Sequence, residues 1–158
     1  MAQYFNLVIL ESELPSQDIL QDYGSYGDIV LHALRYTANP PIVHTSTLVV
    51  TKRSVLEQDP LPDVDETDGV LILGSKHSAS DNDPWVPSLI RFIQQAYLMG
   101  KPLVGICYGH QMIARALGGK IARSPGGWEL GVTDMDVNST GRRVFGADKL
   151  VSTLASGS

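Results

Sequence analysis

Leu103-Val104-Gly105-Ile106-Cys107-Tyr108-Gly109-His110-Gln111 decides how the rest of the chain reads. Leu103 to Ile106 is a short apolar run behind Lys101-Pro102, as expected of a strand buried in a sheet. Met112, Ile113, Ala116 and Leu117 then recur at helical spacing until Gly118-Gly119, which ends the pattern. Strand passes into helix almost without a loop, and Cys107 stands at the change. Gly105 and Gly109 remove the Cβ atoms that would collide in so sharp a turn. This is the pattern of a nucleophile elbow with Cys at its apex. Such a turn lifts the sulfur above the sheet edge, at a helix start whose unpaired N–H groups favour a thiolate. A small buried Cys at a strand end is the alternative reading of the same residue.

Outward from the elbow, strands and helices alternate. Upstream, Asp68-Gly-Val-Leu-Ile-Leu-Gly74 is a second buried strand that stops at a glycine. Asp83-Pro84 follows as a helix start, with Asp83 as N-cap and Pro84 at the first helical position. Val86, Leu89, Ile90, Ile93, Ala96 and Tyr97 form one apolar face, and Gly100 caps its end. Earlier still, Asn6 to Leu10 and Thr47 to Thr51 read as strands, and Asp28 to Ala38 as a helix stopped by Asn39-Pro40-Pro41. The acidic, proline-bearing stretch Glu57 to Asp68 reads as a solvated loop. Downstream, Glu129 to Val137 alternates as a strand with one wetter face. Gly141 to Gly146 is either its neighbour or a connection, and Ser152 to Ser158 shows no element. The alternation predicts a three-layer α/β domain around a mainly parallel sheet.

Composition bounds the function classes. The chain has 158 residues, enough for one domain; 43% are hydrophobic and 18% charged, too apolar for intrinsic disorder. Twelve Lys and Arg stand against 17 Asp and Glu, a net charge of −5, which disfavours a phosphate backbone as partner, so no nucleic acid is expected. One Cys allows no internal disulfide and no Cys-based zinc site. Asp134 and Asp136 share a strand face and read as solvated carboxylates, so no metal and no cofactor is expected. The apolar runs are too short for a membrane span, and the start of the chain lacks a secretory pattern. A cytoplasmic location is expected.

Gly105-Ile-Cys-Tyr-Gly-His-Gln111 resembles the Gly-x-Cys-x-Gly-x-Gln nucleophile motif of class I glutamine amidotransferases. Asp68-Gly-Val-Leu-Ile-Leu-Gly-Ser75 resembles the strand and glycine turn that contribute to that family's oxyanion hole. Lys76 to Trp85, Ala114 to Gly119 and Ser124 to Gly131 are similar to the subgroup containing the glutaminase part of GMP synthase. The resemblance covers about Asn6 to Leu150. It implies a flavodoxin-like fold in which Cys107 attacks the side-chain amide of glutamine, forms a thioester and releases ammonia. The N–H of Tyr108, with one from Gly74 or Ser75, is implied as the oxyanion hole. Gln111, Trp128 and Glu129 are implied to seat the glutamine, and a separate synthetase would accept the ammonia to amidate a small metabolite.

In that family the triad ends with His and Glu in a Gly-His-Pro-Glu-like segment, and this sequence contains none. Its four His are His32, His44, His77 and His110. His77, near the site in a polar loop, and His110, on the elbow helix, are the candidates for a substitute base; His32 and His44 read as bystanders. The expectation is therefore an amidotransferase-like domain at 1–150 that lacks its C-terminal strands and leaves a sheet edge open, with a tail at 151–158. Two other readings stand beside the amidotransferase. One is a glutamine-binding or regulatory protein without turnover. The other is a Cys hydrolase of the related intracellular-peptidase type, against which Gln111 and the Trp128-Glu129 loop argue.

Overall fold

The structure is a computed structural model that describes residues 4–37, 48–57, 60–122 and 129–156. In chain order the elements are β1 (Phe5–Glu11), α1 (Gln17–Tyr23), α2 (Tyr26–Thr37), β2 (Leu48–Ser54), β3 (Gly69–Ile72), α3 (Val86–Leu98), β4 (Leu103–Gly105), α4 (Tyr108–Ala116), β5 (Glu129–Asp136), α5 (Ser139–Phe145) and β6 (Lys149–Ser156). They fall into two compact units, Met1–Ile121 and Ala122–Ser158.

In the first unit four strands pair in the order β2-β1-β3-β4, all parallel. Parallel neighbours need crossovers, and helices supply them on both faces. On one face Ile9, Leu71 and Leu73 pack with Tyr26 and Val30 of α2. On the other, Val8, Leu10, Val70 and Ile72 meet Leu89, Phe92, Ile93 and Ala96 of α3 and Tyr108, Met112 and Ala116 of α4. β3 is buried along its whole length, which is why it reads as an unbroken apolar run rather than an alternation. The three-layer α/β architecture expected from the sequence is thus present. β4 is an edge strand with Val104 56% exposed. Strand order reverses between β1 and β3, and in open parallel sheets ligands bind beyond the C-terminal strand ends at such a point.

Several local expectations are corrected. α3 starts at Val86, not at Pro84, and Trp85 holds the N-cap position. Asp83 accepts the Val86 N–H through its carbonyl, 3.0 Å, while its carboxylate stands 3.1 Å from His77 Nδ1. Phe92 joins the buried stripe and Tyr97 lies on its rim, exposed. The C-terminus of α3 closes as expected: Gly100 N–H donates to Tyr97 O (3.0 Å) and Lys101 N–H to Ala96 O (2.9 Å), the paired bonds of a Schellman motif. α1, between β1 and α2, has no counterpart in the periodicity; none of its residues is buried, so no apolar stripe announces it.

In the second unit β5 and β6 pair antiparallel across eight residues, from Glu129 opposite Ser156 to Asp136 opposite Lys149. Residues 151–156, expected as a tail, are strand: the pairing partner supplies what small, polar side chains do not signal. Gly141 to Gly146, read as a neighbouring strand or a connection, falls mostly within α5 (Ser139–Phe145), and the Asn138 side chain accepts the Gly141 N–H at 2.9 Å. That is an N-cap bond of the usual kind. Asn39-Pro40-Pro41, His44 and Trp128 lie outside the described residues.

Candidate active site

The turn after β4 has the geometry of a nucleophile elbow. Ile106 N–H still donates to Ile72 O, 2.9 Å, completing the sheet register. One residue later Cys107 takes φ 52 and ψ −110, and it is the single described non-glycine residue with positive φ. Such a backbone costs on the order of 1–3 kcal/mol and persists only where the surroundings enforce it. They do so here through hydrogen bonds from Gly109 N–H to Ile106 O (2.9 Å) and Gln111 N–H to Cys107 O (3.2 Å). Both flanking glycines are required by packing. A Cβ on Gly105 would overlap the backbone of Gly109 and His110, and one on Gly109 would overlap the carbonyl of Ile72. α4 lies so close to β3 and β4 that only hydrogen fits. Cys107 is exposed, which overturns the buried-Cys alternative.

Tyr108 anchors the elbow from below. Its side chain is 1% exposed and tilts against Trp85 with ring centroids 5.9 Å apart. Burial pushes its hydroxyl well above the usual phenol range, with Asp83 adding to the effect, so this hydroxyl stays protonated and is no base. Its hydroxyl has no hydrogen-bond partner among the described residues.

The turn after β3 stands beside the elbow. A Cβ placed on Gly74 would lie 3.7 Å from Cys107 Cβ and 3.9 Å from Ile106 O, so Gly74 borders the sulfur-bearing residue directly. Leu73 N–H donates to Leu10 O, 2.9 Å, and Lys76 N–H to Glu13 Oε2, 2.7 Å. Between them, the N–H groups of Gly74 and Ser75 donate to no acceptor among the described residues. The Tyr108 N–H, first in α4, is likewise free. A cavity of about 410 Å³ opens alongside, lined by Tyr26, Ile29, Val30 and Leu73 with Glu13 and Lys76 at its polar side. Glu13 sits two residues past the end of β1, 13% exposed, and pairs with Lys76 Nζ at 2.7 Å. Burial pushes its carboxyl up, but the hydrogen bonds and charge of Lys76 outweigh this and hold it below the ordinary carboxylate value. Sequence reasoning missed Glu13, and no local pattern around it marks it out.

The expected site residues are brought together in part. Gly74, Ser75, Cys107 and Tyr108 cluster at the ends of β3 and β4. Gln111, half-buried, lies one turn into α4. Glu129 opens β5 in the second unit, and Trp128 is outside the described residues. His77 is held by Asp83 and packs edge-on against Trp85, centroids 5.6 Å apart. His110 is exposed on α4, and His32 stacks on Tyr36 within α2. Among the described residues no His hydrogen-bonds Cys107. Among them, too, no group of three or more His, Cys, Asp or Glu could hold a metal ion, and no helix is long and apolar enough to cross a membrane.

Comparison with known proteins places this geometry. The family model "Glutamine amidotransferase class-I" matches residues 19–155. A glutamine amidotransferase-like protein of Schizosaccharomyces pombe is 31% identical over 150 residues, covering 90% of this chain and 59% of that protein. Gamma-glutamyl peptidase 3 of Arabidopsis thaliana is 36% identical over 96 residues, 59% of this chain and 39% of that protein. Among solved structures, a glutamine amidotransferase from Thermotoga maritima superposes with a TM-score of 0.72 at 20% identity, covering 98% of this chain and 61% of its own. The chain therefore matches less than two-thirds of the length of each of these relatives. With the family model matched across most of its length and an elbow built as described, the chain belongs to the class I glutamine amidotransferase family.

Proposed function

We propose that the chain hydrolyses the side-chain amide of glutamine through a thioester on Cys107 and delivers the ammonia to a separate synthetase that amidates a small metabolite. The observation that carries this reading is the strained, exposed Cys107 at the start of α4 with Gly74 against its Cβ. The thiolate sulfur attacks the amide carbon, and the carbonyl electron pair moves to oxygen. The N–H groups of Tyr108 and of Gly74 or Ser75 meet that developing charge. Collapse breaks the C–N bond, and the nitrogen takes a proton and leaves as ammonia. Water then hydrolyses the thioester, releasing glutamate and restoring the thiolate. Gln111 helps to seat the glutamine, the task that the family resemblance also assigns to Trp128 and Glu129.

In Cys–His enzymes the imidazole protonates the leaving nitrogen. Among the described residues no His hydrogen-bonds Cys107, so for the chain by itself water supplies that proton, and turnover is slower by about 10²- to 10⁴-fold. An exposed lone thiol suits a reducing compartment, which supports a cytoplasmic place of action.

A second reading draws support from the gamma-glutamyl peptidases among the relatives. The same attack on a γ-glutamyl carbonyl, with an amino acid in place of ammonia as leaving group, makes the chain a peptidase. Ammonia release from glutamine and amino-acid release from a γ-glutamyl dipeptide, each with a Cys107→Ala control, separate the two. Cys107-dependent ammonia release supports the amidotransferase reading, and dipeptide cleavage without it supports the peptidase. A folded chain that binds glutamine and does neither is a binding protein.

A further inference from the structure

We propose that Glu13 is a positioning residue, which sets the turn Gly74–Lys76 so that its free N–H groups face the carbonyl attacked by Cys107; this role rests on the thioester chemistry proposed above. The residues just past β1 grip this turn at three points. Glu13 Oε2 accepts the Lys76 N–H at 2.7 Å. Glu13 Oε1 pairs with Lys76 Nζ, also at 2.7 Å. Ser75 Oγ donates to Ser12 O at 2.6 Å and stands 3.5 Å from Glu13 Oε2. Ser75 Oγ in turn accepts the His77 N–H, 3.1 Å.

The consequence follows from counting donors. Leu73 N–H is used by Leu10 O and Lys76 N–H by Glu13. With both flanking N–H groups turned toward β1 and the residues after it, the two between them, on Gly74 and Ser75, are left without an acceptor among the described residues, and Gly74 lies against Cys107. Without Glu13 the Lys76 N–H has no fixed partner, and the turn loses the bond that orients its C-terminal side. The buried end of the tether is the carboxylate: Glu13 is 13% exposed, whereas the Lys76 side chain is 77% exposed. The bond to the Lys76 N–H, not the ion pair to its ammonium, therefore does the positioning. A donor misplaced by an ångström stabilises an oxyanion poorly while leaving ground-state binding of glutamine almost untouched.

The test compares Glu13→Ala, Glu13→Gln and Lys76→Met in the full chain, reading ammonia release and amide hydrogen exchange at Ser75 and Lys76. In Glu13→Ala, exchange at Lys76 accelerates and kcat falls by about ten- to a hundredfold with KM within about twofold of the parent. Glu13→Gln, whose amide oxygen still accepts the N–H, recovers most of kcat. Lys76→Met, which removes only the ion pair, stays within about twofold of the parent. Unchanged exchange in Glu13→Ala, unchanged kcat there, or equal losses in Glu13→Ala and Lys76→Met each overturn the role of Glu13. A parent chain that releases no ammonia removes the glutamine-hydrolysis reading and this role with it. An active parent with an equally active Glu13→Ala removes only the latter.

Discussion

The turns after β3 and β4 stand side by side, and they are built by opposite means. The β4 turn is held by exclusion: Gly105 and Gly109 are hydrogens where nothing larger fits, and the backbone of Cys107 is forced into positive φ. The β3 turn is held by attraction, through a carboxylate and a carbonyl from residues more than sixty positions away in sequence. Steric exclusion leaves a local signature of glycine spacing. Attraction across the sheet leaves none. One consequence is a difference in tolerance: the first turn fails abruptly when a methyl group is added, whereas the second loosens by degrees.

The largest expected effect removes the chemistry and leaves the scaffold. Cys107→Ala abolishes ammonia release, while its circular dichroism spectrum and unfolding temperature stay close to the parent's; residual release equal to the parent's excludes Cys107 as nucleophile. Next comes the scaffold itself. Gly109→Ala drives a methyl group into the Ile72 carbonyl and destabilises the first unit by about 1–3 kcal/mol or more, read as a lowered denaturant midpoint. An unchanged midpoint breaks the account of the β4 turn as sterically fixed. Cys107→Gly measures the strain directly. Glycine accepts φ 52 freely, so this variant is more stable than Cys107→Ala by about 1 kcal/mol, after allowing for the added freedom of its unfolded chain.

The same contrast explains what could be read in advance. The sheet, the elbow and the helix on each side of it were legible because each is written in adjacent residues: apolar runs for β1, β3 and β4, glycines around Cys107, a 3.6-residue stripe for α3. Gly74 and Ser75 were legible through their likeness to a family pattern. Glu13 was not, since a glutamate in Glu11-Ser12-Glu13 looks like any solvated carboxylate until the fold brings Lys76 to it. α5 was hidden by Gly141 in its first turn and Gly146 at its end, although Asn138 was a readable cap. β6 was hidden because strand pairing with β5, rather than its own small side chains, makes it a strand. Asp83 shows the converse, a good local cap signal that the helix does not use, since α3 starts at Val86 behind Trp85.

The smallest effect tests attraction away from the site. Asp28 on α2 pairs with Lys52 Nζ of β2 at 2.5 Å. The Lys52 hydrogen bond, aided by Ser25 and opposed by burial, holds the Asp28 carboxyl below its ordinary value of 3.8. Glu13 is held below 4.5 in the same sense. A carboxyl whose value is depressed in the folded state contributes stability above its unfolded value and loses it as pH falls through the folded one. Both groups therefore stabilise the fold fully at about pH 6, and both contributions drain away below about pH 4. Both Asp28 and Lys52 are partly exposed, which limits this pair to less than about 1 kcal/mol. Asp28→Asn should lower the unfolding temperature slightly at pH 6 and by less at pH 3, flattening the acid limb of the stability profile. An equal loss at both pH values would mean that the ionised carboxylate is irrelevant and that the Asp28 side chain acts on α2 through its hydrogen bonds to Ser25 alone.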